Sequence, residues 1–187
     1  MRPSFSFGKA RPGPRRDRLA EMLRVDHAGE FGAVQIYRGQ RAVFDAVASR
    51  HRVSETLQAM ETGEIAHLEA FDRLLREGGV RPTAFSPLWR AAGYGLGVAT
   101  ALMGEKAAMA ATEAVEDVIE KHYADQAEEL DAQEPQLAQM VRGFREDELQ
   151  HKQTAEEAGA ADAPGYRALK AVIGAGCRIA IKLSEKI

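Results

Sequence analysis

Glu148 and His151 fall in a run, Gln139-Met-Val-Arg-Gly-Phe-Arg-Glu-Asp-Glu-Leu-Gln-His151, that reads as one helix. Leu137, Val141, Phe144, Glu148, His151 and Ala155 follow one another at steps of three and four, the spacing of a single helical face. A carboxylate and an imidazole therefore stand where an ordinary core would place two apolar residues. Burying an unpaired charge costs far more than a packed methyl group contributes, so a glutamate in that register needs a cation or strong hydrogen bonds. A metal ion meets that need.

The arrangement is doubled. Leu57, Met60, Glu64, His67, Phe71 and Leu74 mark an earlier helical face that also contains Glu-x-x-His. Upstream of each motif lies a single Glu on an apolar face: Glu30 among Leu23, Val34, Tyr37 and Phe44, and Glu116 among Met109, Ile119, Tyr123 and Leu130. The interval from Glu30 to Glu64 nearly equals that from Glu116 to Glu148. One Glu-x-x-His is a weak signal in a chain rich in Glu. Two, each on the apolar side of its own helix and each paired with an upstream inward Glu, form the ligand set of a dinuclear carboxylate site inside a four-helix bundle.

In such a site Glu64 and Glu148 are assigned as the bridging carboxylates, Glu30 and Glu116 as terminal carboxylates, and His67 and His151 as terminal nitrogen donors. Four carboxylates and two imidazoles favour iron or manganese over the sulfur-rich tetrahedral sets of structural zinc. Their four negative charges offset two divalent cations, a state suited to reaction with dioxygen. The ligand set alone does not choose between storing iron, reducing peroxide and inserting oxygen into a C–H bond. His27, one turn before Glu30, reads as a partner that supports a ligand. Tyr123 shares the inward face of Glu116, next to His122, and its phenol could donate to a ligand or a bound substrate; an ordinary buried tyrosine is the competing reading.

The elements that must position these groups are all helical, and no segment shows strand alternation. The first helix is expected from about Asp17 to about Ser49, with Gly29, Gly32 and Gly39 in its interior permitting close helix approach. Ser54 is expected to cap a second helix that ends at Gly78-Gly79. Ser86-Pro87 opens a long helical region, broken by the glycines of its apolar opening into a helix at about 88 to 103 and a bundle helix at about 105 to 131. Glu134-Pro135 opens the helix of Glu148 and His151, and Pro164 the last one, whose Leu169, Val172, Ile173, Cys177, Ala180 and Leu183 form one packing face. The two Glu/Glu-x-x-His halves suggest a duplicated helical hairpin with the apolar segment bridging them.

A chain of 187 residues holds one core, and we expect a single domain at 19–187. A net charge of −3 gives no sign of nucleic-acid binding, and the single cysteine, Cys177, rules out a disulfide framework or a cysteine-based metal site. Residues 1–18 carry Arg2, Lys9, Arg11, Arg15, Arg16 and Arg18 against one acid, Asp17. This basic leader reads as a disordered arm and not a secretory signal; a transit peptide and attraction to anionic lipid head groups also fit it.

Several longer motifs are more specific than Glu-x-x-His. Arg24-Val-Asp-His-Ala-Gly-Glu30-Phe-Gly-Ala, Arg81-Pro-Thr with Pro87-Leu-Trp, Ala101-Leu-Met-Gly-Glu-Lys, His122-Tyr123 and Gly176-Cys-Arg-Ile-Ala-Ile-Lys-Leu-Ser-Glu resemble the demethoxyubiquinone hydroxylases of ubiquinone biosynthesis, in the ferritin-like di-iron carboxylate superfamily. The resemblance covers roughly residues 19 to 187, and the family's metal ligands fall on Glu30, Glu64, His67, Glu116, Glu148 and His151. Two departures touch no ligand: the stretch between Arg41 and Thr56 is longer than in some members, and the basic leader has no clear counterpart.

The resemblance implies an all-α, ferritin-like four-helix bundle with a di-iron core and two additional apolar helices. It implies a monooxygenase that uses two Fe ions and O2 to hydroxylate the ring of a polyprenylated 3-demethoxy quinol. The enzyme would sit on the membrane surface, on the cytoplasmic face of a bacterial inner membrane or the matrix face of a mitochondrion, alone, as a homo-oligomer or in a ubiquinone-biosynthesis complex. Another ferritin-like di-iron activity and a non-enzymatic bundle are the rival readings. The chain itself supports peripheral docking: the uncharged stretch from Ala91 to Gly104 falls short of the about 20 residues a spanning helix needs, and Trp89 and Tyr94 suit an interface.

Overall fold

The computed structural model describes residues 14–186. Of the leader read as a disordered arm at 1–18, residues 1–13 lie outside the described residues, and residues 14–18 are helical, with Arg18 paired to Glu129. Six α-helices follow in order: α1 (Pro14–Phe44), α2 (His51–Gly78), α3 (Ser86–Leu102), α4 (Glu105–Leu130), α5 (Pro135–Glu157) and α6 (Tyr166–Lys186). Two single 3-10 turns, Ala48–Arg50 and Ala160–Asp162, join α1 to α2 and α5 to α6. Among the described residues there is no strand. The fold is all-α, a ferritin-like bundle of α1, α2, α4 and α5 with α3 laid along α1 and α6 along α4 and α1.

Helix boundaries depart from the sequence reading where local polar groups find other partners. α1 ends at Phe44, and the Ser54 hydroxyl bonds Asp45 from inside α2, so Ser54 is a tie between the α1 end and α2 and not an N-cap. Ser86 is the first residue of α3, with Phe85 at the cap position, because the Ser86 hydroxyl turns back to the Thr83 carbonyl at 2.7 Å. α6 starts at Tyr166, past Pro164. Other boundaries follow their signals. Gly79 ends α2 in the left-handed conformation (φ 64°), and Gly104 (φ 111°) separates α3 from α4, at positions that disfavour a side chain.

Three glycines bring α3 onto α1. A Cβ on Gly39 would lie 2.2 Å from the Tyr94 carbonyl oxygen, one on Gly97 2.1 Å from that of Ile36, and one on Gly93 2.9 Å from that of Gly32. Gly29 and Gly32 do something else: the space over their own Cα atoms is open, and they line a pocket described below. α6 also differs from expectation. Ile173 packs inward, but Val172 (72% exposed) and Leu183 turn outward with Ile179, so its apolar residues serve two surfaces.

The bundle core has two main apolar clusters. Tyr37, Phe44, Leu57, Met60 and Met109 gather toward one end, and Leu23, Phe71, Leu74, Leu75, Leu130, Leu137 and Val141 toward the other. Each of the four bundle helices crosses from one to the other, and each carries its glutamate between them.

Candidate metal centre

All four glutamates read from the periodicity face the bundle interior. Glu30, Glu64 and Glu148 are wholly buried, Glu116 is 1% exposed, and His67 and His151 stand beside them. Their donor atoms form two groups, each lying within 4.8 Å of one another: Glu30, Glu64, His67 and Glu148, and Glu64, Glu116, Glu148 and His151. Glu64 and Glu148 belong to both.

The hydrogen bonds test whether a metal suits this cluster. Both oxygens of Glu64 and of Glu148, one oxygen each of Glu30 and Glu116, and Nδ1 of both histidines are buried without a hydrogen-bond partner. Orphaned polar atoms are rare in protein interiors and destabilise each site by about 1–3 kcal/mol. Eight of them converge from four helices, and their oxygen and nitrogen types could hold a metal.

The remaining lone pairs are already committed. Tyr123 on α4 donates to Glu30 on α1, and Tyr37 on α1 donates to Glu116 on α4 at 2.7 Å. Each tyrosine stands two turns beyond its own helix's glutamate and holds the glutamate of the other helix, so the duplication extends to this shell. Sequence reading singled out Tyr123 and passed over Tyr37, although the same offset from Glu30 marks it. His67 points Nδ1 at Glu148, Glu30 and Glu64, at 3.2, 3.6 and 3.7 Å, and its Nε2 lies 3.0 Å from Asp147. His151 points Nδ1 at Glu64 and Glu148, at 2.9 and 3.4 Å.

Burial and mutual charge shift the titration of the cluster's own groups. Burial, reinforced by the Glu64 charge, raises the Glu30 carboxyl well above its ordinary range, and burial with the Glu148 charge does the same for Glu116. Burial opposes charge on the imidazoles, yet the carboxylates outweigh it: Glu148, Glu30 and Glu64 raise His67, and Glu148 and Glu64 lift His151 to about 9. Burial works against the Glu64 carboxylate too, but the two imidazoles hold it down at about 2. Burial raises both tyrosines, keeping them neutral donors.

His27 is not brought to this cluster. Its Nε2 lies 3.1 Å from Asp72 of α2, and its Nδ1 is buried without a partner. His122 lies 3.2 Å from the buried Asp26, which also accepts from Gln126 at 2.7 Å.

On the outer sides of α1 and α4, beside Glu30 and Glu116, lies an apolar pocket of about 360 Å³. Gly29, Gly32 and Ile36 of α1, Leu96 of α3, Ile119 of α4 and Ile173 of α6 are among its walls. Trp89 donates from Nε1 to the buried Ser184 at 3.1 Å and ties α3 to α6 across one side. No signal in one helix marks this pocket, since its walls come from four.

The profile of the family described as ubiquinone biosynthesis protein COQ7 matches residues 17–184. The chain belongs to the COQ7 family. It is 44% identical over 170 residues to the human NADPH-dependent 3-demethoxyubiquinone 3-hydroxylase, mitochondrial, covering 89% of this chain and 76% of that protein. It is 43% identical over 169 residues to the 3-demethoxyubiquinol 3-hydroxylase of Rhodospirillum rubrum, covering 90% and 78%. Similarity extends to the 5-demethoxyubiquinone hydroxylase of Saccharomyces cerevisiae, at 36% over 185 residues, covering 90% and 78%. The COQ7 match spans all four glutamates and both histidines of the cluster.

Proposed function

We propose that this chain is a di-iron monooxygenase that hydroxylates the ring of a polyprenylated 3-demethoxy quinol with dioxygen, in ubiquinone biosynthesis. The observation that carries the reading is the juxtaposition of two ligand groups sharing Glu64 and Glu148 with an apolar pocket on the other side of the helices bearing Glu30 and Glu116. Glu30, Glu64, His67 and Glu148 would hold one iron and Glu64, Glu116, Glu148 and His151 the other, with Glu64 and Glu148 common to both. When bound, the irons supply the activation of dioxygen that the protein's own groups cannot. One oxygen atom enters a ring C–H bond to give C–OH and the other leaves as water, with two electrons and two protons from outside. The relatives named as NADPH-dependent suggest reduced nicotinamide as the reductant.

The protein's groups bind and orient. The pocket takes the apolar substrate and excludes water from it. Tyr123 and Tyr37 fix the orientation of Glu30 and Glu116, and Tyr123 is the residue we place closest to catalysis. His27, bonded to Asp72, positions α1 against α2 one turn before Glu30. Residues 19–187 act as one domain, with residues 14–18 as the opening of α1.

The substrate's tail requires access from a lipid phase, and we propose that α3 and α6 dock on the membrane surface. Leu102 (72% exposed), Met103, Leu88 and Tyr94 on the α3 side and Val172, Ile179 and Leu183 on α6 present apolar groups to the outside, and both helices line the pocket. No described helix is long and apolar enough to cross a membrane. The relatives include bacterial and mitochondrial proteins, so the surface would be the cytoplasmic face of an inner membrane or the matrix face.

The deciding experiment supplies iron-loaded protein with a tailed demethoxyquinol, a reductant and labelled dioxygen. One labelled oxygen in the ring hydroxyl is expected. Absence of product with a large iron load per chain would replace this reading by iron storage.

A further inference from the structure

The two Glu-x-x-His segments differ in the residue before each glutamate: Gly63 precedes Glu64, and Asp147 precedes Glu148. Each imidazole looks across the bundle to that residue of the opposite half. His67 Nε2 lies 3.0 Å from Asp147. The His151 atoms Cε1 and Nε2 lie 3.4 Å from where a Cβ on Gly63 would stand, and Gly63 offers them no acceptor. Among the described residues, the acidic partners of His151 are Glu64 and Glu148, both through Nδ1.

The surroundings reinforce the difference. The His67 ring stacks on Phe144 at 4.0 Å between centroids and its side chain is 4% exposed. The His151 side chain is 14% exposed and meets Tyr37 edge-on at 6.3 Å. His67 is thus held at Nε2 by a carboxylate and by a stacked ring, and among the described residues His151 has neither.

We infer that the two metal positions are unequal, that the one formed with Glu30 and His67 fills first, and that Asp147 is the positioning residue responsible. This rests on the two-metal reading above. A ligating imidazole whose other N–H is held by a carboxylate has a fixed tautomer and orientation and is a more basic donor, and loss of such a partner weakens metal affinity by about 10- to 100-fold. The His151 position has no such partner, so its imidazole must be ordered when the second ion binds.

The test uses full-length, metal-free protein titrated anaerobically with Fe²⁺, followed by calorimetry, with anomalous scattering from crystals holding one equivalent. Two binding steps about 10- to 100-fold apart are expected, with the one-equivalent signal beside His67. Asp147→Asn should weaken the first step and leave the second in place. Gly63→Asp should strengthen the second step, and the 3.4 Å clearance to His151 leaves room for its Cβ. The exchange Gly63→Asp with Asp147→Gly should move the one-equivalent signal to His151; circular dichroism confirms that each variant is folded. An even spread of one equivalent over both positions, or a signal beside His151 in the unaltered protein, overturns the inference. So does a Gly63→Asp protein that is folded but unchanged in its second step. Binding of one ion at saturation would instead overturn the two-metal reading itself.

Discussion

α1 and α4 each serve two surfaces that could hardly differ more. Toward the bundle interior they present Glu30, Tyr37, Glu116 and Tyr123, all buried and crossed so that each helix's phenol holds the other's carboxylate. Toward α3 and α6 they present Gly29, Gly32, Ile36, Val115 and Ile119, around a pocket with no charged wall. The inner side gathers carboxylates and imidazoles, and the outer side is apolar. Each suits a different kind of ligand: the inner group could hold a cation, and the outer pocket is apolar. Two helices thus carry a polar and an apolar surface on opposite sides of one thin wall.

The largest effect should come from Glu148→Ala, which removes a group shared by both metal positions. Metal content should fall below two per chain, and hydroxylation should fall by more than the about 10- to 100-fold typical of losing an outer hydrogen-bonding partner. Full iron content with full turnover would dissolve the inner half of the comparison.

Gly32→Leu addresses the outer half alone. Nothing lies within 4 Å of a Cβ built there, so the new side chain extends into open pocket. Metal content should stay at its normal value while KM for a tailed quinol rises at least about tenfold, equivalent to about 1.4 kcal/mol of lost binding. An unchanged KM would detach the pocket from the substrate. Gly97→Ala offers the contrast, since its Cβ would overlap the Ile36 carbonyl at 2.1 Å and force α3 off α1.

Separating pocket from docking surface takes Leu102→Asp combined with Ile179→Asp. Both side chains are outward, so stability, iron content and turnover of a tailless quinol should persist while vesicle co-sedimentation falls. Undiminished vesicle binding would remove α3 and α6 from the membrane.

Smaller effects follow from the tyrosines. Tyr37→Phe and Tyr123→Phe each strip a buried carboxylate of its donor and should lower stability by about 1–3 kcal/mol in thermal melts. Iron content should persist in both, and turnover should fall further for Tyr123→Phe. Equal turnover to the parent would return Tyr123 to the role of an ordinary core residue.

The mildest change is with pH. His151, lifted from 6.5 to about 9, stabilises the metal-free fold fully below about 6.5, and that contribution is lost as pH rises through about 9. A metal must displace that proton together with those held by His67, Glu30 and Glu116, so apparent metal affinity should rise with pH through about 9. Calorimetry in buffers of different ionisation enthalpy would report the released protons, and a pH-independent affinity with no release would contradict the assignment of His151 as a ligand.

Most of the buried carboxylate–histidine cluster was legible in the sequence. Glu30, Glu64, His67, Glu116, Glu148 and His151 could be selected because helical periodicity fixes which side of a helix a residue takes, and a charge on the apolar side is conspicuous against Leu and Phe neighbours. The helix break at Gly104 and the stop at Gly79 were equally local, because a positive φ is a property of one residue.

What tertiary structure alone decided are relations between helices. Periodicity could name Tyr37 as inward but could not say that its hydroxyl ends on Glu116 of another helix. It could not direct His27 to Asp72, or divide α6 between Ile173 inside and Val172 outside. The difference between Gly39, pressed against a carbonyl, and Gly32, open to a pocket, has no sequence signature, because both depend on how far away the neighbouring helix lies. Spacing along one chain determines which groups face inward; which of them meet depends on the packing of several helices at once, and that is a property of their side chains taken together.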